Sequence, residues 1–331
     1  ESVHQRMHSL RASLSSPSSV TQAKSNKDPI LLAYNGSESS IGQILSKTQR
    51  VEEQNRTGMW TTIFGQWGDQ DEEDGYTGFD YSVGGLTFGL DYLLTDSLIT
   101  GLSLGYADTK IDLDRDAGDG NIESLGGSIY GTYFNKHTYF ETVLSYGDQS
   151  YDNNRNIVIG PLFRTAHSEH DGDVFSAYGA GGYSFQSKEW IIRPFGSMQY
   201  VYLDEDGFQE SGAGSINLRV DGRKTESLVS NLGVRFARVF EFEGGRLVPE
   251  ASFAWQYDFD IDDRNITTSF VGSPGNAFTI EGQDLENHSA KIGIGLTFIN
   301  KRNFSVSLNY NAELRENYNS NGIIGYLRLT F

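Results

Sequence analysis

The sequence predicts an all-β protein, a twelve-stranded antiparallel β-barrel that spans a membrane. Three observations predict it: apolar and polar residues alternate from residue 58 onward, tight and long connections alternate strictly, and aromatic residues form two bands about one membrane thickness apart. The 331 residues include 38 glycines and 13% aromatic residues, a composition that excludes a disordered chain.

The first 57 residues follow a different pattern, which predicts two short helices joined by a flexible linker. Val3, Met7, Leu10 and Leu14 have helical spacing, and a Ser-rich stretch containing a proline follows them. A second helix is predicted over residues 40–55. We therefore expect a linker region at 1–57 and a barrel at 58–331. Because the chain has neither an initiating Met nor a signal peptide, we also expect it to be a processed part of a longer precursor.

Each strand of the second region has one apolar face and one polar face. In "LTFGLDY", for example, Leu86, Phe88 and Leu90 alternate with Thr87, Gly89 and Asp91. "AKIGIGLTF" and "FSVSLNY" repeat the pattern. A period of two is the period of a β-strand, so one face of the sheet is apolar and the other carries glycine, hydroxyl groups or charge.

The connections between these strands are sorted by length. The tight ones are "LLTDSL", "FNKHTY", "QSKEW", "EFEGGR" and "INKRNF". The segments between them predict long loops, among them residues 112–121 and 153–173. Short turns on one side and long loops on the other are typical of outer-membrane barrels, in which the short turns are periplasmic. Five tight turns predict twelve strands.

Aromatic residues predict the two membrane interfaces. One band lies beside the tight turns, and the other lies about one membrane thickness away. The first comprises Tyr92, Tyr139, Phe140, Trp190, Phe240, Phe298, Phe304 and Phe331, and the second comprises Tyr106, Tyr146, Tyr202, Tyr257 and Tyr310. In the last strand Leu327 and Leu329 share the parity of Phe331, so we expect all three to face lipid on the periplasmic side.

Charged residues whose neighbours along the strand are apolar should point into the barrel. They are Asp91, Glu141, Arg193, Arg235, Glu250, Lys291 and Arg328. Unpaired charges in a narrow lumen are costly, so the acids either pair with a helix that carries Arg6 and Arg11 or pair across the wall or with water. Inward glycines such as Gly89, Gly101, Gly105, Gly293 and Gly295 are expected to leave space in that lumen.

Other classes of site have little support in the sequence. A net charge of −18 argues against nucleic acid as a partner, and the absence of cysteine excludes thiolate metal sites. Asp112, Asp114, Asp116 and Glu123 have the spacing of a calcium loop, but Ala117 stands where glycine is needed, which favours a solvated loop.

His167 and His170 are three residues apart in a predicted mobile loop with no third ligand nearby, and we interpret them as surface histidines. We predict no cofactor. No nucleophile with a base and an orienting group is visible at a strand end, so we predict that the chain is not an enzyme.

"GMWTTIFGQWGDQD", "YSVGGLTFGLDYLLTDSLITGLSLGYADT" and the final "IIGYLRLTF" resemble the β-domain of monomeric, type Va autotransporters over residues 58–331. The resemblance implies a barrel in the outer membrane of a Gram-negative bacterium that anchors and helps to export an N-terminal passenger. Implied partners are that passenger, outer-membrane lipid and lipopolysaccharide, periplasmic chaperones and the barrel-assembly machinery. The C-terminal Leu327, Leu329 and Phe331 would then form the assembly signal.

"VHQRMHSLR" also resembles the helix that threads the lumen in that family, with Val3, Arg6, Met7, Leu10 and Arg11 as its positions here. More than forty residues separate Leu14 from Gly58, unlike the direct connection in relatives. Either Val3–Leu14 is the pore helix and an inserted periplasmic segment follows it, or residues 40–55 are the pore helix and the first stretch lies outside. Two other functions stay open: an outer-membrane solute channel, and a hydrolase on the same barrel.

Overall fold

The computed structural model describes residues 56–72, 76–259, 265–280, 286–301 and 303–331. Both helices predicted near the N-terminus lie outside these residues. Within them the regular structure is β, apart from short 3-10 turns at Asp114–Asp116 and Gly214–Ile216. The described part of the chain has no helix of the length and hydropathy needed to cross a membrane.

Twelve long strands, each antiparallel to its neighbours in the chain, form one sheet, which confirms the predicted number. They are β1 (Thr57–Gln70), β2 (Phe79–Thr95), β3 (Leu98–Leu113), β4 (Gly118–Phe134), β5 (Thr138–Ile159), β6 (Leu162–Tyr183), β7 (Trp190–Glu205), β8 (Arg223–Arg238), β9 (Gly245–Asp258), β10 (His288–Asn300), β11 (Phe304–Arg315) and β12 (Tyr318–Thr330).

The sheet closes because the first strand pairs with the last. The β1–β12 ladder runs from Gly58 opposite Thr330 to Gln70 opposite Tyr318. At its end the backbone N–H groups of Thr57 and Phe331 donate to each other's carbonyl oxygens, at 3.0 Å each. A closed sheet has no edge, so its backbone groups are satisfied where water is absent.

The barrel is apolar outside, and its interior combines polar side chains with clusters of buried aromatic and aliphatic residues. Leu86, Phe88 and Leu90 of β2 are exposed, whereas Thr87 and Asp91, which have the opposite parity, are buried. The same inversion holds around the wall, where the buried set is rich in Thr, Ser, Gln and charged residues. Such a surface is stable only against hydrocarbon, because it would expose large apolar patches to water.

The five tight turns are present, but two of the predicted long loops are not loops. Strands β5 and β6 continue as a paired ribbon as far as Ile159 and Leu162, joined by Gly160 and Pro161. A four-residue turn, 114–117, joins β3 and β4. The prediction of long loops at 112–121 and 153–173 is therefore wrong. Both segments lack the alternation of apolar and polar residues that marks a membrane strand, because water surrounds them on the extracellular side. Backbone hydrogen bonds between the paired strands nevertheless keep them extended.

Two other connections, 206–222 and 259–287, contribute to a small extracellular sheet. Its order is Ala277–Ile280, Ile266–Phe270, Leu218–Val220 and Phe208–Gln209. Leu218, Val220 and Ile266 form its apolar centre. Ala213 of the first connection packs on Ile157 and Ala166, on the inner side of the β5–β6 ribbon.

Two expectations about inward positions are wrong. Tyr139 does not belong to the interfacial band, because its ring is 2% exposed and packs inside the barrel with Leu93, Ile99 and Phe134. Nor do Gly89 and Gly101 leave open space. A Cβ on Gly89 would overlap the ring of Trp60, and a Cβ on Gly101 would overlap Tyr130. Gly89 and Gly101 make room for aromatic side chains instead. Gly293 and Gly295 leave no open space either, because a Cβ on Gly293 would overlap Ser252 and Asn311, and a Cβ on Gly295 would overlap Asn309 and Glu250.

Replacing Leu308 by Arg should damage folding more than replacing Asn311 by Arg on the same strand. Leu308 is 60% exposed on the outer face, whereas Asn311 lines the interior cavity described below. Arg facing hydrocarbon near the midplane costs about 2–4 kcal/mol, and a lumen position avoids that cost. Urea-dependent unfolding in lipid vesicles measures the difference. Equal free energies of unfolding for the two variants would contradict the assigned faces.

Candidate functional site

The seven charged residues selected from the sequence lie on the inward side of their strands. Asp91, Glu141, Arg193 and Arg328 are buried, and Arg235, Glu250 and Lys291 are partly buried. They form three groups. One lies at the seam where the barrel closes, one lies on β5 and β7–β9, and one lies on β9–β11.

The seam group joins an ion pair to a set of aromatic side chains. Arg328 Nη2 lies 2.7 Å from both carboxylate oxygens of Asp91, and both side chains are almost fully buried. Arg328 Nη1 also donates to Tyr326 Oη at 2.9 Å. Trp60 Nε1 donates to Tyr130 Oη at 2.6 Å, and Tyr130 Oη donates to Asp91 at 3.2 Å. The group thus links β12, β1, β2 and β4.

The second group holds two arginines directly opposite each other, Arg193 on β7 and Arg235 on β8. Arg193 lies 4.9 Å from the ring centre of Tyr139, and Arg235 lies 4.4 Å from that of Phe195. Arg193 Nε also donates to Ser184 Oγ at 2.8 Å. Glu250 on β9 lies diagonally across the ladder from Arg235 and shares its inward face. The cation–π contacts and this acid act against the repulsion between the two guanidinium groups.

Glu313 is the centre of the third group, and the sequence analysis missed it. Lys291 Nζ lies 3.5 Å from its carboxylate and Arg315 lies 3.4 Å from it. Gln256 and Ser289 donate to the same carboxylate at 2.9 and 3.0 Å. A signal was present, because Glu313 stands between Ala312 and Leu314, as the selected charges stand between apolar neighbours.

A polar cavity lies between the second and third groups. Its wall combines amides, hydroxyl groups and charges with apolar side chains, which include Phe64, Phe195, Ala254, Ala312 and Ile324. It includes Gln66, Ser197, Gln199, Asn231, Arg235, Ser252, Lys291, Asn311, Glu313 and Ser320. Such a wall can hydrogen-bond a polypeptide of mixed sequence, because it offers donors and acceptors of both signs.

Two further ion pairs lie at the extracellular connection 206–222. Arg155 of β5 contacts Glu210 of this connection in a two-pronged pair, with Nε to Oε1 at 2.7 Å and Nη2 to Oε2 at 2.5 Å, and both side chains are buried. Glu210 also accepts from the backbone N–H of Leu218 at 2.6 Å. At the base of the connection Arg223, the first residue of β8, pairs at 2.7 Å with Glu205, the last residue of β7. Sequence analysis could not find the pair of Arg155 with Glu210, because a partner in a loop has no fixed spacing.

The acidic turn after β3 does not assemble the ligand set of a calcium loop. Asp112 lies opposite Asp119 while Glu123 lies opposite Asp108, so the ladder separates Glu123 from Asp114 and Asp116. The turn carries a strongly negative field. The pKa of the Asp114 carboxyl is raised above its usual value, first by burial and then by the carboxylates of Asp80 and Glu72.

His167 and His170 lie on strand β6, which corrects their placement in a loop, and they face opposite sides of it. The prediction of a surface histidine is wrong for His170, whose side chain is 6% exposed and lies between the rings of Tyr151 and Phe208, with centroids 4.5 and 4.4 Å away. His167 faces outward. The structure brings Asp152 and Glu169 to it, so the expectation that no third ligand is near is wrong.

A closed antiparallel barrel with an even number of strands, short turns at one end and an apolar outer wall defines the chain as an outer-membrane β-barrel. The family described as "Autotransporter beta-domain" matches residues 59–311. The chain belongs to this family, and it is an integral outer-membrane barrel of the translocator type.

Individual relatives are distant. Esterase EstA of Pseudomonas aeruginosa is 25% identical over 269 residues, which are 79% of this chain and 40% of the esterase. The chain therefore spans less than half of that relative. The translocator domain of the autotransporter NalP from Neisseria meningitidis superposes with a TM-score of 0.67 at 15% identity, covering 90% of this chain and all of the NalP chain. The β-domain of the Bordetella autotransporter BrkA gives 0.62 at 21%, covering 84% and 100%.

Breaking the buried pair at the seam should be far more costly than breaking an exposed pair. Arg328→Met removes the guanidinium from the buried carboxylate of Asp91, a loss of about 3–5 kcal/mol in the free energy of unfolding. Arg238→Met is the control, because Arg238 pairs with Glu189 at 2.7 Å on the surface, where a pair contributes about 1 kcal/mol at most. The fraction of folded barrel at each denaturant concentration, determined by heat-modifiable gel migration, gives the free energy of unfolding of both variants. Similar losses in the two variants would show that the seam pair contributes no more to stability than a surface pair.

Proposed function

We propose that this barrel exports an N-terminal passenger and afterwards retains part of the linker inside its lumen. The polar cavity carries the proposal, because it offers hydrogen bonds and charges of both signs along a path enclosed by the wall. A chain in transit needs such contacts, since its backbone groups have lost water on entering a narrow lumen. The lumen of a barrel of this size is about wide enough for a helix or one or two extended chains.

The retained segment is proposed to be the helix at Val3–Arg11, with residues 40–55 as the alternative. Both lie outside the described residues. Arg6 and Arg11 of the first candidate are complementary to Glu141, Glu250 and Glu313, which lie inside the barrel. The proposed division into a linker at 1–57 and a barrel at 58–331 agrees with strand β1, which begins at Thr57.

We propose that the barrel domain is not an enzyme. EstA is named as an esterase, but the match covers only 40% of its length, so that activity is not carried over to this chain. A solute channel is the second candidate function, favoured by the same cavity if the N-terminal segment leaves it open.

We propose different partners for the periplasmic and the extracellular end of the barrel. Phe331 and Leu329 are exposed beside the periplasmic turns, where we propose that they meet periplasmic chaperones, the barrel-assembly machinery and then lipid. On the extracellular side the exposed rings of Tyr106 and Tyr146 lie below acidic strand ends. Lipopolysaccharide is the proposed neighbour there.

Removing the N-terminal segment should open the lumen. The full chain should conduct ions poorly in a planar bilayer, whereas a chain beginning at Arg56 should give larger and longer steps, because a helix of about 10 Å diameter nearly fills the lumen. A chain beginning at Ser39 keeps only the second candidate helix and so identifies the plug. If all three chains conduct equally and strongly, the solute-channel function replaces the proposed one.

Phe331→Ser should reduce the amount of folded barrel in the outer membrane. The side chain of Phe331 is 58% exposed, and the substitution removes this last aromatic anchor of the closing strand. Asn303→Ser, in the neighbouring periplasmic turn, is the control. Fractionation of cells followed by heat-modifiable gel migration measures the folded barrel. Normal levels of the Phe331 variant would remove its proposed role in assembly.

A further inference from the structure

The cluster around His167 lies on the extracellular part of the β5–β6 ribbon, beyond the interfacial ring of Tyr146. Asp152 and Asn154 on β5 face outward beside His167 and Glu169 on β6. The ladder places Asp152 directly opposite Glu169, and Asn154 directly opposite His167. Four side chains with ligand atoms therefore occupy two adjacent rows of one outer face. The cluster lies on the outside of the barrel, apart from the lumen that export uses.

The ligand atoms are already close together. His167 Nδ1 lies 3.4 Å from Asp152 Oδ1 and 3.2 Å from Asn154 Oδ1. His167 Nε2 lies 3.3 Å from Glu169 Oε1. One ligand atom from each of Asp152, His167 and Glu169 can be chosen so that all lie within 4.8 Å of one another, and within the described residues this is the only such group of three.

Zn²⁺ bonded tetrahedrally at about 2.0–2.1 Å holds neighbouring ligand atoms roughly 3.3 Å apart. Asp152 and Glu169 lie beside different ring nitrogens of His167, and an imidazole gives a metal ion one nitrogen, so one carboxylate rotates toward the nitrogen that binds the ion. Both carboxylates are exposed and have room for that rotation. Imidazole nitrogen and carboxylate oxygen are both ligands of Zn²⁺, whereas Ca²⁺ prefers six or more oxygen atoms. Asn154 or water can complete the four positions.

The electrostatics of the ribbon also favour a cation. Two carboxylates directly opposite each other on one face repel. The next row adds Asp171, and Asn154 Nδ2 donates to Asp119 Oδ2 at 3.0 Å, so further acids surround the cluster. Lys110 shares the row of Asp152 but lies two strands away, beyond Asn121. A bound dication would neutralise both opposed carboxylates.

The backbone under the cluster is held on two sides. His167 pairs with Asn154 in the ribbon, and its backbone N–H also donates to the carbonyl oxygen of Ser211 at 2.9 Å, while Ser211 N–H donates back at 2.8 Å. A backbone fixed in this way lowers the cost of bringing ligands together on binding.

We propose that Asp152, His167 and Glu169 bind one Zn²⁺ ion on the extracellular face of the barrel, with Asn154 beside the fourth position. The ion ties strand β5 to strand β6 above the membrane. This site is independent of passenger export, because none of its residues lines the lumen cavity.

Titration calorimetry with ZnCl₂ tests the proposal on the full chain, folded in detergent and stripped with a chelator, at neutral pH. We expect one Zn²⁺ per chain. His167→Ala should abolish that binding. Asp152→Asn and Glu169→Gln should each weaken it by more than about tenfold, because loss of a residue that only supports a metal ligand already lowers the metal affinity by about that factor. His137→Ala is the matched control, because it removes an exposed imidazole from a periplasmic turn and should leave binding unchanged.

Heat-modifiable gel migration shows that each variant is folded, and the two isosteric variants carry the test if His167→Ala does not fold. Co²⁺ in place of Zn²⁺ should give the visible absorption of a tetrahedral nitrogen–oxygen site, which His167→Ala or Asp152→Asn removes. Absence of Zn²⁺ binding to the wild-type chain overturns the proposal. So does binding that is unchanged in the His167 and Asp152 variants, because the ion would then lie outside the proposed site.

Discussion

The pairing of strand β1 with strand β12 is the constraint on which the rest of the structure depends. In hydrocarbon an unpaired backbone group costs several kcal/mol, so a sheet of this size is stable in a membrane only when it closes. The ion pair between Asp91 and Arg328 lies at that seam and reinforces its register. A slip of one residue would turn Arg328 from the interior toward lipid, where a charge is expensive.

Closure also explains why the interior is uneven. Near the seam, Trp60 and Tyr130 fill the space that Gly89 and Gly101 leave, so this side of the lumen is packed. Across the barrel lies a cavity lined by amides and charges, where Lys291 and Arg315 lie beside Glu313. In the proposed function the packed side stabilises the wall, and the polar side gives a passing chain groups to contact.

Outside the membrane the constraint changes, because water can satisfy backbone groups. The extracellular ends are therefore free to vary, and specific side-chain contacts hold them instead. The pair of Arg155 with Glu210 holds the connection 206–222, the pair of Arg223 with Glu205 joins the strand ends at its base, and the small sheet adds an apolar centre of its own. The outward cluster at His167 lies on the extracellular β5–β6 ribbon, where side chains can change without disturbing the membrane-spanning barrel.

The sequence by itself determined the barrel, because alternation, turn spacing and aromatic bands each follow directly from a strand that meets lipid on one side and a lumen on the other. It also determined the parity that turns Asp91 and Arg328 inward. Only the tertiary structure decided which inward residues meet, that Glu313 gathers Lys291 and Arg315, and that residues 153–173 are a ribbon rather than a loop. Those facts depend on register and on partners far apart in the chain, and periodicity along one strand carries no information about its neighbours.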